Sequence, residues 1–217
     1  DLDDGQWREI AELVERRGLV PLIDMAYQGL GAGLDADAKG VRLLMESVPA
    51  GLVAASCSKS FSLYRERTGM LMVKTAGAET ADLVRSNIQS LARLNYSNPP
   101  DHGAAIVRTI LENAELKSGW QAGLEQMRLR IAGVRAALAA SDGGAIDFSL
   151  AGRHKGLFAL LPLSPAMTEC LRREHGIYMA RSGRINLAGL NDRTIERFVT
   201  AVRVVAGAHP VPITDRV

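Results

Sequence analysis

The 217-residue sequence lacks several features that would place it in a specialised class of protein. Its two cysteines, Cys57 and Cys170, have neither CxxC nor Cys/His spacing, so no structural metal site is predicted. Such cysteine usage is typical of a reducing compartment, and the cytoplasm is the default expectation. No apolar run reaches the roughly 18 residues of a membrane span, and no secretory leader pattern opens the chain. We therefore expect neither a membrane span nor a signal peptide.

An excess of charge of one sign is also missing. The chain has 26 basic and 24 acidic residues, a net charge of +2, and the basic residues are scattered, so a nucleic-acid partner is not expected. Hydrophobic residues make up 47% of the chain, enough for the core of one large or two small domains. The four histidines show no metal-ligand spacing and no serine or cysteine partner, and we expect them to be structural or exposed. They are His102, His154, His175 and His209.

Apolar spacing in the first half of the chain predicts alternating helices and strands. Asp3 and Gln6 resemble a capping pair that opens a helix ending near Gly18. Three short runs read as strands, with a helical pattern between the first two. Because these runs are continuously apolar, we expect an α/β sheet covered on both faces. The strands are predicted at 19–27, 51–56 and 69–74.

The second half begins with a break in periodicity, because the adjacent prolines in NYSNPPDHG (95–103) exclude a helix. Apolar residues then recur every three or four positions from Leu116 to Leu138 and predict one long helix. This helix is expected to link two lobes, and a boundary placed within it divides the chain into domains 1–122 and 123–217.

The second lobe is predicted to be α+β. A strand is expected at 156–163, followed by a helix that opens at Ser164 and closes at Gly176. Short strands are expected near IYMA and RINLAG, and a last helix carries Phe198. The tail, 208–217, is expected to be loosely held.

Two ionisable residues come at the ends of successive predicted strands. Asp24 ends the first apolar run and Lys59 follows the second, which is where open α/β sheets bind ligands. A desolvated lysine in such a place is a good amine nucleophile toward an aldehyde. From the residues alone, Asp24 is equally a helix cap or turn former, and Lys59 a solvated loop residue. Arg67 is either half of a surface ion pair or a fork for a phosphate that Ser56 and Ser58 also bind.

Four stretches, in order along the chain, resemble signatures of the aspartate and aromatic amino acid aminotransferases, which are fold type I enzymes that use pyridoxal phosphate (PLP). Four matches in register are far more specific than GLGAG alone, whose glycines fit no dinucleotide fingerprint. The stretches are IDMAYQGLGAGLDADAKGVR, SCSKSFSLYRERTG, RLNYSNPPDHGA and MARSGRINLAGL.

The resemblance implies a role for each cofactor-binding residue. Lys59 matches the lysine that holds PLP covalently and then moves the substrate proton. Asp24 matches the carboxylate that keeps the pyridine nitrogen protonated, so that the ring accepts electrons. Tyr27 matches the phenol that hydrogen-bonds the 3' oxygen of the cofactor. Ser56, Ser58 and Arg67 match the phosphate-binding residues.

Three further residues are assigned to the substrates by the resemblance. Arg184 matches the arginine whose fork binds the α-carboxylate. Arg93 matches an arginine that reaches the neighbouring subunit's site and binds a side-chain carboxylate, which implies a homodimer with shared active sites. Phe158 resembles an aromatic residue at the edge of the pocket, although a core residue on a strand is an equal interpretation. Asn98 belongs to the same motif as Arg93, or to a turn.

The resemblance implies that the chain is the C-terminal half of such a transferase: part of the large α/β cofactor domain, joined by a long helix to a small α+β domain. The expected activity of the parent enzyme is ping-pong transamination of aromatic and dicarboxylic L-amino acids with 2-oxoglutarate. Because the first half of the family pattern is missing, we expect little activity from the isolated chain. The alternatives are an aspartate-specific aminotransferase, a PLP-dependent decarboxylase or lyase, and a non-catalytic fragment.

Overall fold

The computed structural model describes residues 2–209 and divides into two compact units. The first unit is Leu2–Glu125, and the second is Gln126–Val217, described as far as residue 209. The division lies within helix α5 (Ala114–Ala139), which confirms the long helix predicted from 116 to 138. The domain limit predicted after residue 122 lies in the same helix. From residue 210 onward, the predicted loose tail is outside the described residues.

The first unit begins with a capped helix and contains a three-stranded sheet. The Gln6 amide donates to the Asp3 carboxylate at 2.8 Å, and the Asp3 amide donates to the Gln6 side chain at 3.0 Å, so the predicted cap is confirmed. Its elements are α1 (Asp4–Arg16), β1 (Leu22–Met25), α2 (Leu34–Ser47), β2 (Gly51–Ser56), β3 (Gly69–Lys74), α3 (Ala78–Tyr96), α4 (His102–Glu112) and the start of α5. The sequence did not predict α4, and β1 is shorter than predicted.

The order of the sheet is β1-β2-β3, with β1 parallel and β3 antiparallel to β2. Asp24 lies opposite Ala54, so the carboxyl ends of β1 and β2 share one edge of the sheet. The expectation of a sheet covered on both faces is wrong for β3, which exposes Met70, Leu71 and Met72 by 59%, 47% and 37%.

The physical reason is that α1 and α2 bury mainly each other, whereas α3 buries no residue. Val14 of α1 and Leu44 of α2 belong to one buried cluster, against which only Ile23 of the sheet packs. Among the described residues, none gives the apolar side chains of β3 comparable cover.

The second unit is α+β, as predicted. It contains the end of α5, α6 (Ser149–Arg153), β4 (Phe158–Leu160), α7 (Pro165–His175), β5 (Arg184–Asn186), a 3-10 turn (Leu187–Gly189) and α8 (Ile195–Ala208). Ser164 caps α7 by accepting from the Met167 amide at 3.2 Å, and Gly176 ends it with φ of +64°, which confirms the predicted helix. The last helix is also confirmed, whereas α6 was not predicted.

In the second unit, the strands are shorter than predicted or do not form. No ladder forms at 177–180, because the Ile177 amide closes the end of α7 by donating to the Leu171 carbonyl. The strand at RINLAG stops at Asn186, whose side chain accepts from the Ala188 amide at 3.0 Å and starts the 3-10 turn. Predicted strand 156–163 forms only at Phe158–Leu160.

One hydrophobic core supports the antiparallel β4–β5 ladder. Phe148 and Phe198 lie 6.3 Å apart between ring centroids within it. Ile185 joins this core, so its neighbours Arg184 and Asn186 point to the opposite, exposed face of β5. Within residues 2–209, no helix is both long and apolar enough to cross a lipid bilayer.

Candidate active site

Asp24 and Ser56 lie at the shared edge of the parallel strands. Asp24 is the third residue of β1, and Ser56 ends β2 two positions beyond Ala54, the residue opposite Asp24. The Asp24 carboxylate is exposed, and the Ser56 hydroxyl oxygen accepts from the Ser58 amide at 3.2 Å. This edge therefore presents a carboxylate and a hydroxyl together.

The chain turns tightly after β2, and Lys59 lies within this turn. The Phe61 amide donates to the Cys57 carbonyl at 3.3 Å, and the Ser62 amide donates to the Lys59 carbonyl at 3.1 Å. Ser62 has φ of +58°, and Ser58 is buried. Because backbone hydrogen bonds within the turn close it, they fix the Lys59 backbone from which the half-buried side chain extends.

Trp120 of α5 anchors this turn, although the sequence placed this residue only in the apolar repeat of the predicted long helix. Its indole Nε1 donates to the Ser60 carbonyl at 2.8 Å. Its ring stacks on Phe61 with centroids 4.4 Å apart and planes 9° from parallel. Sequence spacing alone could not have linked Trp120 to a turn 60 residues earlier.

The Lys59 amine lies over the ring of Tyr27, 4.9 Å from its centroid, within the range of a cation–π contact. Tyr27 follows β1 by two residues and is 36% exposed. The structure thus brings together two of the residues that the sequence assigned to one site.

Arg67 and Arg93 occupy exposed positions in the same unit. The Cys57 amide donates to the Thr68 carbonyl at 3.0 Å, so the loop that carries Arg67 returns to the end of β2. Arg67 has φ of +52°, and its guanidinium donates to the Tyr64 carbonyl at 2.9 Å. Arg93 lies in the last turn of α3.

Arg184 and Phe158 lie in the second unit, on neighbouring strands. The Arg184 guanidinium carbon is 3.8 Å from the centroid of the Phe158 ring. Phe158 is half-buried and lies outside the hydrophobic core of the second unit, whereas the neighbouring residue Ala159 packs against that core. Both residues line a pocket of about 520 Å³, together with Tyr178, Asn186 and others. A guanidinium in the lining of a largely apolar pocket is suited to a carboxylate with an apolar side chain.

Arg135 is a buried residue that sequence reasoning missed. Its guanidinium donates to the carbonyls of Ala151, Gly156 and Phe158, the last at 3.0 Å. Burial lowers the pKa of this guanidinium. Its bonds hold the start of β4 and therefore the backbone of Phe158. An arginine within an apolar helical pattern was the sole sequence signal. Among residues 2–209, no group of three or more His, Cys, Asp or Glu is placed to hold a metal ion.

Comparison with known proteins connects both units to one family. The family profile for aminotransferase class I and II matches residues 1–202. Tyrosine aminotransferase of Rhizobium meliloti (strain 1021) is 55% identical over 192 residues, covering 87% of this chain and 49% of that protein. Aspartate aminotransferase of Pseudomonas aeruginosa is 40% identical over 205 residues, covering 93% and 52%.

A solved structure agrees with this match. The aromatic-amino-acid aminotransferase from Burkholderia pseudomallei, covalently bound to pyridoxal phosphate, has a TM-score of 0.89 and 40% identity, covering 94% of this chain and 52% of that chain. This chain spans about half the length of the relatives it matches. It belongs to the aminotransferase class I and II family.

Proposed function

We propose that this chain supplies the C-terminal half of a PLP-dependent aminotransferase that transfers amino groups between L-amino acids and 2-oxo acids. The observation that carries this proposal is the Lys59 amine, held over the Tyr27 ring beside the strand edge that presents Asp24. Membership of the family supports the reaction type.

The residues at this edge fit PLP chemically. The cofactor needs an amine for its aldehyde, a carboxylate for its ring nitrogen and a donor for its ring oxygen, and Lys59, Asp24 and Tyr27 supply these in turn. When bound, PLP provides a protonated ring that takes up the electrons released at the substrate α-carbon. Lys59 holds the cofactor and then carries the proton removed from that carbon. Ser56, Ser58 and Arg67 bind the phosphate.

We propose that substrates are held through their carboxylates. Arg184 binds the α-carboxylate with its planar fork, and the Phe158 ring orients that guanidinium by stacking on it. Arg93 binds the side-chain carboxylate of dicarboxylic substrates such as 2-oxoglutarate. Because aromatic substrates do not need Arg93, one site serves aromatic and dicarboxylic substrates in alternate half-reactions of a ping-pong cycle. The alternative is an aminotransferase that is specific for aspartate.

A homodimer with shared sites is part of this proposal. Helix α3 carries Arg93 and has no buried residue in this chain, and Leu83, Leu91 and Leu94 are 62%, 65% and 82% exposed. An exposed apolar helix of this kind marks an interface, and we assign it to a second copy of the enzyme. We also propose a cytoplasmic location and the domain limits 1–122 and 123–217.

The isolated chain is expected to have little or no transaminase activity, because it spans half of its relatives' length. The test is a chimera in which the part of the R. meliloti enzyme that this chain does not match precedes residues 1–217. Tyrosine and aspartate transamination by the chain and by the chimera are compared. Activity confined to the chimera supports the proposal, and full activity of the isolated chain contradicts the need for the other half.

Lys59 is tested by borohydride reduction of the chimera with PLP, followed by mass mapping. We expect one stable adduct at Lys59 and loss of both adduct and activity in Lys59→Ala. PLP binding that is equally tight in Lys59→Ala would overturn the assignment. Detection of an amine or an elimination product in place of a 2-oxo acid would favour the decarboxylase or lyase alternative.

A further inference from the structure

The glycine-rich loop that follows β1, GLGAG at 29–33, has its amides aimed at a carboxylate of this chain. Asp37, in the first turn of α2, accepts from the amides of Gly29 at 2.8 Å, Gly31 at 2.9 Å and Ala32 at 2.7 Å. Three amides converging on one anion form the type of cradle that binds phosphates elsewhere. Because Asp37 occupies it, this loop is not a phosphate site.

The same loop fixes the backbone of Tyr27. The Leu30 amide donates to the Tyr27 carbonyl at 3.1 Å, and the Gln28 side chain donates to the Leu34 carbonyl at 2.9 Å. Gly29 has φ of +91°, which disfavours any other residue at that position. The loop has no helix or strand of its own, and Asp37 accepts three of the hydrogen bonds that shape it.

We propose that Asp37 is a positioning residue for the Lys59 site and that it acts through Tyr27. Its carboxylate gathers the amides of Gly29, Gly31 and Ala32, the loop so formed places the Tyr27 ring, and that ring lies 4.9 Å from the Lys59 amine. Asp37 touches neither Lys59 nor the cofactor in this assignment. The part that concerns PLP rests on the function proposed above, whereas the placement of Tyr27 against Lys59 does not.

Asp37→Asn is the sharpest test because it preserves size. An amide group has one acceptor oxygen, and its NH₂ opposes at least one of the three backbone N–H donors. Asp35→Asn is the matched control: it removes the same charge two residues earlier on α2, where the Asp35 carboxylate is exposed and pairs with Arg42 at 3.0 Å.

Two measurements on the 217-residue chain test the positioning without a cofactor. Amide hydrogen exchange at Gly29, Gly31 and Ala32 is expected to be at least about tenfold faster in Asp37→Asn, because these amides lose a charge-assisted hydrogen-bond acceptor. The ring-current shift of the Lys59 ε-protons, caused by the Tyr27 ring, is expected to shrink. Asp35→Asn is expected to change neither.

A third measurement tests the consequence for PLP. The rate at which PLP is trapped on Lys59 by borohydride in the chimera is expected to fall about tenfold in Asp37→Asn and less than about twofold in Asp35→Asn. If Asp37 acts through Tyr27, its substitution adds little in a Tyr27→Phe background. A merely destabilising effect of Asp37→Asn would persist in that background.

The outcomes separate the two proposals. Unchanged exchange and an unchanged Lys59 shift in Asp37→Asn overturn the positioning role. If amide exchange in Asp37→Asn changes as expected but PLP is trapped neither in wild type nor in any variant, the proposed function is overturned and the positioning role stands. If Asp37→Asn does not fold, Gly31→Ala replaces it, because a Cβ there would lie 2.7 Å from Asp37 Oδ1 and displace the carboxylate.

Discussion

Cys57 shows how burial sets reactivity beside the candidate nucleophile. It lies two residues before Lys59, and burial raises the pKa of its thiol. A thiol that stays protonated at neutral pH is a poor nucleophile, so Cys57 does not compete with the Lys59 amine for an aldehyde. At the residue scale, two features fit the proposed role of Lys59: its half-buried side chain holds the amine over Tyr27, and burial keeps the neighbouring thiol protonated.

Arg93→Leu is expected to separate the two substrate classes. In the chimera, kcat/KM for aspartate and glutamate should fall about 100-fold, in line with the roughly 2–5 kcal/mol lost when one partner of a charge pair is removed. Tyrosine and phenylalanine should lose less than about threefold, because they have no side-chain carboxylate. The matched control is Arg85→Leu on the same helix, where Arg85 pairs with Asp82 at 3.2 Å. Equal losses for both classes would show that Arg93 does not contact the substrate side chain.

Glu169 is expected to give stability an acid dependence. Hydrogen bonds from Arg172 and then Arg173 lower the pKa of its carboxyl from 4.5 to about 2. Because the folded pKa is depressed, the ion pair contributes fully above pH 4.5, and its contribution is lost as pH falls toward 2.

The measurement is urea unfolding between pH 2 and 5 for wild type and Glu169→Gln. The variant should lose less stability over this window, and the difference should shrink in high salt because the pair is exposed. Glu12→Gln on α1 controls for loss of one negative charge. Parallel profiles for wild type and Glu169→Gln would contradict the role of this pair.

At the scale of elements, the loop of Arg67 is held by the start of α4. His102 Nδ1 and Glu66 Oε2 lie 2.8 Å apart, and Gly103 packs directly against Glu66 and Thr68. Thr68 in turn accepts from the Cys57 amide, at the end of β2. A helix that the sequence pattern did not reveal therefore supports the loop expected to bind phosphate.

Gly103→Ala is expected to destabilise the chain by about 1–3 kcal/mol, because a Cβ at that position overlaps Thr68 and Glu66 and overpacks the contact. Gly119→Ala on α5 is the matched control. Nothing lies within 4 Å of a Cβ at Gly119, so it should gain about 0.5–1 kcal/mol from helix propensity. Urea unfolding measures both. Stabilisation by Gly103→Ala would show that α4 does not pack on this loop.

At the scale of the whole molecule, apolar surface is left uncovered. Three apolar side chains of β3 and three leucines of α3 are each more than a third exposed, and clustered apolar side chains at a surface mark interaction sites. The proposed assembly gives each a partner: the unmatched half of the aminotransferase chain for β3, and a second copy for α3.

The α3 surface is tested with Leu91→Glu/Leu94→Glu in the chimera. Burying two leucines contributes about 1.5–3 kcal/mol each, so the dimer dissociation constant should rise about 100-fold or more. Sedimentation velocity measures the shift toward monomer. Ser86→Glu/Gln89→Glu adds the same charge to the same helix at exposed polar positions and is expected to leave the dimer intact. A dimer unaffected by the leucine substitutions would place the interface elsewhere.

Local signals predicted most of the secondary structure. The Asp3–Gln6 cap, the strands 51–56 and 69–74, and the long helix follow from hydrogen-bonding chemistry and periodicity within a few neighbouring residues. The prediction of a strand at 177–180 was wrong, because an apolar run does not reveal whether a partner strand is present. Helices α4 and α6 were missed because they lie beside a proline break or span little more than one turn.

For the candidate site, the sequence by itself determined the residue types and the family resemblance: an amine, an acid and a phenol near strand ends, and an arginine for a carboxylate. Tertiary structure alone decided that the Lys59 amine lies over Tyr27, that Trp120 anchors its turn, and that Asp37 fills the glycine loop. The reason is the sequence separation over which each kind of interaction acts. Periodicity and capping act over a few residues, whereas these contacts join segments whose distance in space depends on the packing of the whole chain.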